Sequence, residues 1–141
     1  MLFRAGQTFV LDPQNRTTYP THCYVILSDP AQNPDEIVLV NFTSYDPGTP
    51  SQPRNDPACL VNRGDHPYLR HLSCINYRDA LFLSSAQIEQ LDAGNLIVWH
   101  TMDVNPGLLA RIRAGAFTSR HRPGRLIRIL KAQGVVPPIN P

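Results

Sequence analysis

Apolar positions in this chain fall in short runs of β-type composition, divided by turn residues. Residues 6–12 (GQTFVLD) form a β-prone run closed by Asp12-Pro13, and a polar stretch leads from there to a second run at 22–28 (HCYVILS). After the turn signals Asp29-Pro30 and Asn33-Pro34-Asp35, residues 36–43 (EIVLVNFT) give the strongest strand pattern, because β-branched side chains suit a pleated, half-buried surface. Residues 58–62 and 72–77 read as further strands, residues 80–83 as another, and residues 96–99 as an apolar run of strand type whose length also fits a buried helix. Between them, residues 44–57 carry four prolines and almost nothing to pack, which predicts a long surface loop.

Helical signals come late. Ser84 followed by Gln87 is a capping-box pattern opening a short helix that ends before Gly94. Asn105-Pro106 starts a second helix, in which Leu108, Leu109, Ile112 and Phe117 share one face. A third runs over 125–133 with Gly134 as its cap, and the residues after it (VVPPINP) are extended. The pattern predicts an α+β chain, mainly β: a small, mostly antiparallel barrel or half-barrel with helices on one side. As domains, residues 1–141 form one unit, with the barrel and its short helical insertion over 5–104, C-terminal helices over 105–134 and an extended tail over 135–141.

Composition narrows the setting. A chain of 141 residues with 42% apolar residues is long enough to build a core without metal or disulfide staples. Fourteen prolines keep helices and central strands short. Three cysteines, Cys23, Cys59 and Cys74, cannot all pair with one another and form no CxxC unit, which predicts reduced thiols and a cytoplasmic chain. No apolar run approaches bilayer length, and no export signal opens the sequence, so no membrane partner is expected. The net charge of +2 hides an asymmetry: all eleven acidic residues precede Val104, whereas seven basic ones (Arg111, Arg113, Arg120, Arg122, Arg125, Arg128 and Lys131) follow it. Such an end either tracks a phosphate backbone or acidic partner, or is the solvated face of terminal helices.

The most chemically loaded segment is 62–77, NRGDHPYLRHLSCINY. His66 and His71 can exchange protons near neutral pH, while Arg63 and Arg70 are permanently charged forks suited to phosphate. The same Gly-Asp-His-Pro stretch also reads as hairpin punctuation. Cys59, His66, His71 and Cys74 bring two thiols and two imidazoles together in sequence, but their spacing matches no common zinc module. Cys74 in mid-strand fits a buried thiol better than a nucleophile.

The ordered set GQTFVLD at 6–12, HCYVILSD at 22–29, IVLVNFTS at 37–44 and LSCINY at 72–77 resembles the MazF/PemK-type toxin ribonucleases over roughly residues 5–116. That resemblance implies an SH3-like barrel with C-terminal helices and a metal-independent endoribonuclease acting on single-stranded RNA, with no cofactor. It also implies a homodimer and a neutralising antitoxin as partner. Where that family carries an arginine and a proline leading into the second strand, this chain has His22-Cys23, and a neutral imidazole is no permanent bidentate cation. Arg70 is the substitute to expect. Thr43, with Ser44 beside it, matches the family's hydroxyl residue after the third strand.

Metal-free RNA cleavage needs a base for the ribose 2′-hydroxyl, an acid for the departing 5′-oxygen and a cation for the extra phosphate charge. His22, Thr43, Arg70 and His71 are therefore the expected catalytic residues, and Ser44, Arg63, His66 and Ser73 the expected substrate-binding ones. Tyr45 and Tyr68 either stack on bases or cap the core. The competing expectation is a non-catalytic barrel that binds a protein or nucleic-acid partner through its arginine-rich C-terminal end.

Overall fold

A computed structural model describes residues 2–48 and 55–138; the middle of the proline-rich loop predicted at 44–57 and the end of the predicted tail lie outside the described residues. The chain order is β1 (Thr8–Leu11), β2 (His22–Ile26), β3 (Ile37–Ser44), β4 (Leu60–Val61), β5 (Ser73–Leu83), α1 (Ser85–Ala93), β6 (Ile97–Trp99), α2 (Pro106–Thr118) and α3 (Gly124–Ala132). All pairings are antiparallel, in the order β4-β5-β3-β2-β1-β6. The α+β class with β in the majority is as expected.

The sheet does not close into the expected barrel. Its two outermost strands, β4 and β6, span only two and three residues and do not pair with each other. Both faces are instead covered. Side chains alternate along β2 and β3, so that Cys23, Val25, Val38, Val40 and Phe42 meet Leu108, Ile112, Leu126 and Ile129 of α2 and α3. Their neighbours Tyr24, Ile26, Ile37 and Leu39 form a second cluster with Ile88 of α1. Helices therefore lie on both faces rather than one, and a sheet buried on both sides has no need to curl onto itself.

Local chemistry explains most element ends. Ser84 and Gln87 make the reciprocal capping box expected of them: the Gln87 N–H donates to Ser84 Oγ at 3.1 Å, and the Ser84 N–H to Gln87 Oε1 at 2.8 Å. Asn105 Oδ1 accepts from the Leu108 N–H at 2.8 Å, with Pro106 at the first helical position. The two strands expected at 72–77 and 80–83 are one strand. Its register against β3 jumps from Asn41↔Asn76 to Leu39↔Leu81, and the extra residues bulge at Asn76–Asp79, where Asn76 Nδ2 donates to Asp79 Oδ2 at 2.9 Å.

The basic C-terminal end is largely exposed, but most of its arginines also bond within the chain. Arg125 and Arg128 both reach Glu36, at 2.6 and 3.1 Å. Arg111, Arg113 and Arg122 donate to the carbonyl oxygens of Leu60, Leu27 and Ser119. The contacts of Arg111, Arg113, Arg125 and Arg128 tie α2 and α3 to the sheet and the residues beside it, whereas that of Arg122 stays within the turn after α2; of these five residues only Arg113 is not exposed. No helix among the described residues is long and apolar enough to cross a membrane.

Asp12, buried after β1, holds the loop leading to β2. Its carboxylate accepts the Arg16 N–H at 2.8 Å and both the N–H and the hydroxyl of Thr17 at 2.7 Å. Burial pushes this carboxyl up, but the bonds from Arg16 and Thr17 together outweigh it and hold it below the ordinary value. A carboxyl lowered on folding adds stability above its unfolded value, and that stability is lost as pH falls through the folded value. Asp12→Asn keeps a residue tolerant of the positive φ of 49°. We expect it to be less stable than the parent at neutral pH, with the gap closing in acid. Urea melts across pH check this, and a gap independent of pH would refute it.

Candidate active site

A cleft of about 590 Å³ opens where β2 begins and β3 ends. Six of the eight expected site residues line it: His22, Thr43, Ser44, Arg70, His71 and Ser73. The sheet register brings them there. Thr43 lies opposite Cys74 and Ser44 opposite Ser73, so the end of β3 meets the start of β5 and the turn before it. His22 opens β2, its ring edge-on to Tyr24 with centroids 6.3 Å apart.

The shortest polar contact in the cleft is between Ser44 Oγ and His71 Nε2, at 2.6 Å. It crosses from β3 to the turn ahead of β5 and fixes the imidazole against the strand. Ser73, almost fully buried, donates its hydroxyl to the His71 carbonyl at 3.0 Å, which holds the backbone of that turn. Ser73 thus shapes the site through its neighbour. Arg70 is exposed and borders both this cleft and an adjoining one of about 480 Å³ lined by Arg63. Arg63 is therefore one cleft removed from Thr43 and His71.

His66, expected to bind substrate, does not line the cleft and is 3% exposed. Its Nδ1 accepts the Tyr68 N–H at 3.2 Å, while Nε2 lies 2.9 Å from the Met102 carbonyl and 3.1 Å from Thr8 Oγ1. A backbone donor on one nitrogen and a backbone carbonyl on the other assign the proton to Nε2. The ring is committed to holding the segment after Gly64 against β1 and the segment after β6. Gly64 itself has φ +105°, a left-handed conformation that suits glycine.

Phe42, Tyr68 and His100 also line the cleft and pack together as an aromatic wall. His100 was not legible as a site residue: it follows β6, far along the chain, and reaches the cleft only because β6 pairs with β1 and the His100 N–H donates to the Thr8 carbonyl at 2.9 Å. Burial, and secondarily the neighbouring His66, lower its pKa, so the ring is neutral at physiological pH. Its Nε2 is buried without a hydrogen-bond partner.

The cleft is electrostatically one-sided. Arg70 and three imidazoles line it, and among the described residues no carboxylate does. Beyond Thr43 lies a smaller cleft of about 170 Å³ of mixed charge, bordered by Asp56 and Asp79 and also by Arg78 and His121. An anion is therefore favoured on the Arg70 side of Thr43, where no such carboxylates oppose it.

Cys23, Cys59 and Cys74 are free and buried; burial raises the Cys23 thiol to about 12 and the Cys74 thiol to about 11, which leaves no thiolate nucleophile near neutral pH. Among the described residues no three His, Cys, Asp or Glu side chains come together as metal ligands, so Cys59, His66, His71 and Cys74 are not a coordination set. Compared with protein-family models, curated proteins and solved structures, the chain matches none.

Proposed function

We propose that this cleft binds the phosphodiester of single-stranded RNA and cleaves it without a metal, the chain acting as a divergent MazF/PemK-like toxin ribonuclease. One observation carries the reading: two histidines, His22 and His71, line one cleft together with Arg70, Thr43 and Ser44, and among the described residues no carboxylate lines it. One imidazole, unprotonated, takes the proton of the ribose 2′-hydroxyl as that oxygen attacks phosphorus. The other, protonated, gives its proton to the departing 5′-oxygen, leaving a 2′,3′-cyclic phosphate and a 5′-hydroxyl. Arg70 and Thr43 donate to the non-bridging oxygens as charge builds on them, in the role of the arginine that His22 replaces.

The purified chain is expected to cut single-stranded RNA in EDTA and to leave cyclic-phosphate ends, and its expression to arrest growth. Intact RNA at high protein concentration together with harmless expression would refute the reading. A neutralising antitoxin and a homodimer belong to the same proposal, and co-expression that restores growth would support the first.

A further inference from the structure

We propose that Tyr68, backed by Phe42 and braced by His100, forms a subsite for one unpaired nucleobase of the strand whose phosphate meets Arg70 and His71. This rests on the RNA-cleaving reading and names what the non-polar wall of the same cleft holds.

Tyr68 is 38% exposed, yet its ring is in contact with two others. It stacks on Phe42 with centroids 6.4 Å apart and planes within 21°, and meets the edge of His100 at 5.7 Å and 70°. Its backbone is anchored too, through the N–H that donates to His66 Nδ1. An aromatic surface fixed before binding loses little side-chain entropy when a ligand stacks on it. His100, neutral and with its Nε2 unpaired, is held by packing against Tyr68 and the edge of His66 at 5.3 Å, which keeps this wall uncharged.

The lining specifies the ligand class. Arg70 calls for an anion; the partly exposed Tyr68 ring, with buried Phe42 behind it, calls for a flat π-surface joined to it, and a nucleotide offers both. A volume of about 590 Å³ suits one nucleotide rather than an extended duplex. Stacking on one ring tolerates every base, so the subsite demands a base without strongly selecting which.

The test uses the full chain and a short 2′-O-methyl RNA probe, which the proposed chemistry cannot cut, beside a series of the same probe with one base removed at each position in turn. The parent is expected to bind the intact probe about tenfold more tightly than the one lacking the stacked base. Tyr68→Leu should abolish that preference, and Tyr68→Phe, which keeps the ring and the contact with Phe42, should retain it. A parent that binds intact and base-lacking probes alike, or binds neither, overturns the subsite. So does a Tyr68→Leu variant that keeps the preference, or a Tyr68→Phe variant that loses it. RNA cleavage is scored separately: Tyr68-dependent probe binding with intact RNA sinks the nuclease reading and leaves the subsite standing, whereas cleavage with Tyr68-independent binding does the reverse.

Discussion

His71→Ala is expected to lower RNA cleavage by about 10²–10⁴-fold, the usual contribution of a positioned acid or base. The imidazole is exposed at the cleft, and its Nε2 is bound to Ser44 Oγ at 2.6 Å. Removing it frees a serine hydroxyl that water can satisfy, so stability should stay within roughly 0.5 kcal/mol of the parent. The loss should fall mainly on kcat, because proton transfer belongs to the transition state rather than to substrate binding. Thr43→Ala should also impair cleavage, through a lost donor to the reacting phosphate. Activity within tenfold of the parent in His71→Ala would remove His71 from the mechanism.

Gly115→Ala is expected to be the most disruptive small change in the fold. Gly115 lies on the face of α2 that meets β5 and the residues before β4. A Cβ built there would collide with the Tyr77 hydroxyl and stand 2.9 Å from Cys59 Cβ and 3.1 Å from the Ala58 carbonyl. Tyr77 cannot yield, since it is buried and its hydroxyl donates to the Ile112 carbonyl at 2.6 Å. Overpacking costs about 1–3 kcal/mol, and a buried hydroxyl forced from its partner costs about another 1–3 kcal/mol. A total of roughly 2–6 kcal/mol is a large share of the stability of a domain this size. Urea denaturation would show it as a lower midpoint with an unchanged slope. Gly115→Ala melting with the parent would show that α2 does not approach β5 this closely.

The local signals proved legible where their partners lie within a turn or two of sequence. The capping box at Ser84 and the Asn105-Pro106 start need only residues three or four positions away. The β-branched run at 36–43 is a central strand because period-two alternation places alternate residues on opposite faces of a covered sheet. Thr43 was readable as the end of that strand and Arg70 and His71 as the turn before β5, whereas Ser44, expected to open the loop, is the last residue of β3.

Partners distant in sequence decided the rest. The sequence by itself determined the strands, the caps and an arginine-and-histidine segment able to handle an anion, because propensity and periodicity act over a few residues. Only the tertiary structure decided that the sheet stays open, since that depends on α1 covering one face while α2 and α3 cover the other. It separated two histidines that looked alike in sequence, committing His66 to Thr8 and Met102 and leaving His71 in the cleft beside His22. It turned Arg125 and Arg128 onto Glu36 and brought His100 to Tyr68 through the pairing of β6 with β1. A side chain's chemistry depends on which groups satisfy or desolvate it, and in these cases those groups come from remote parts of the chain.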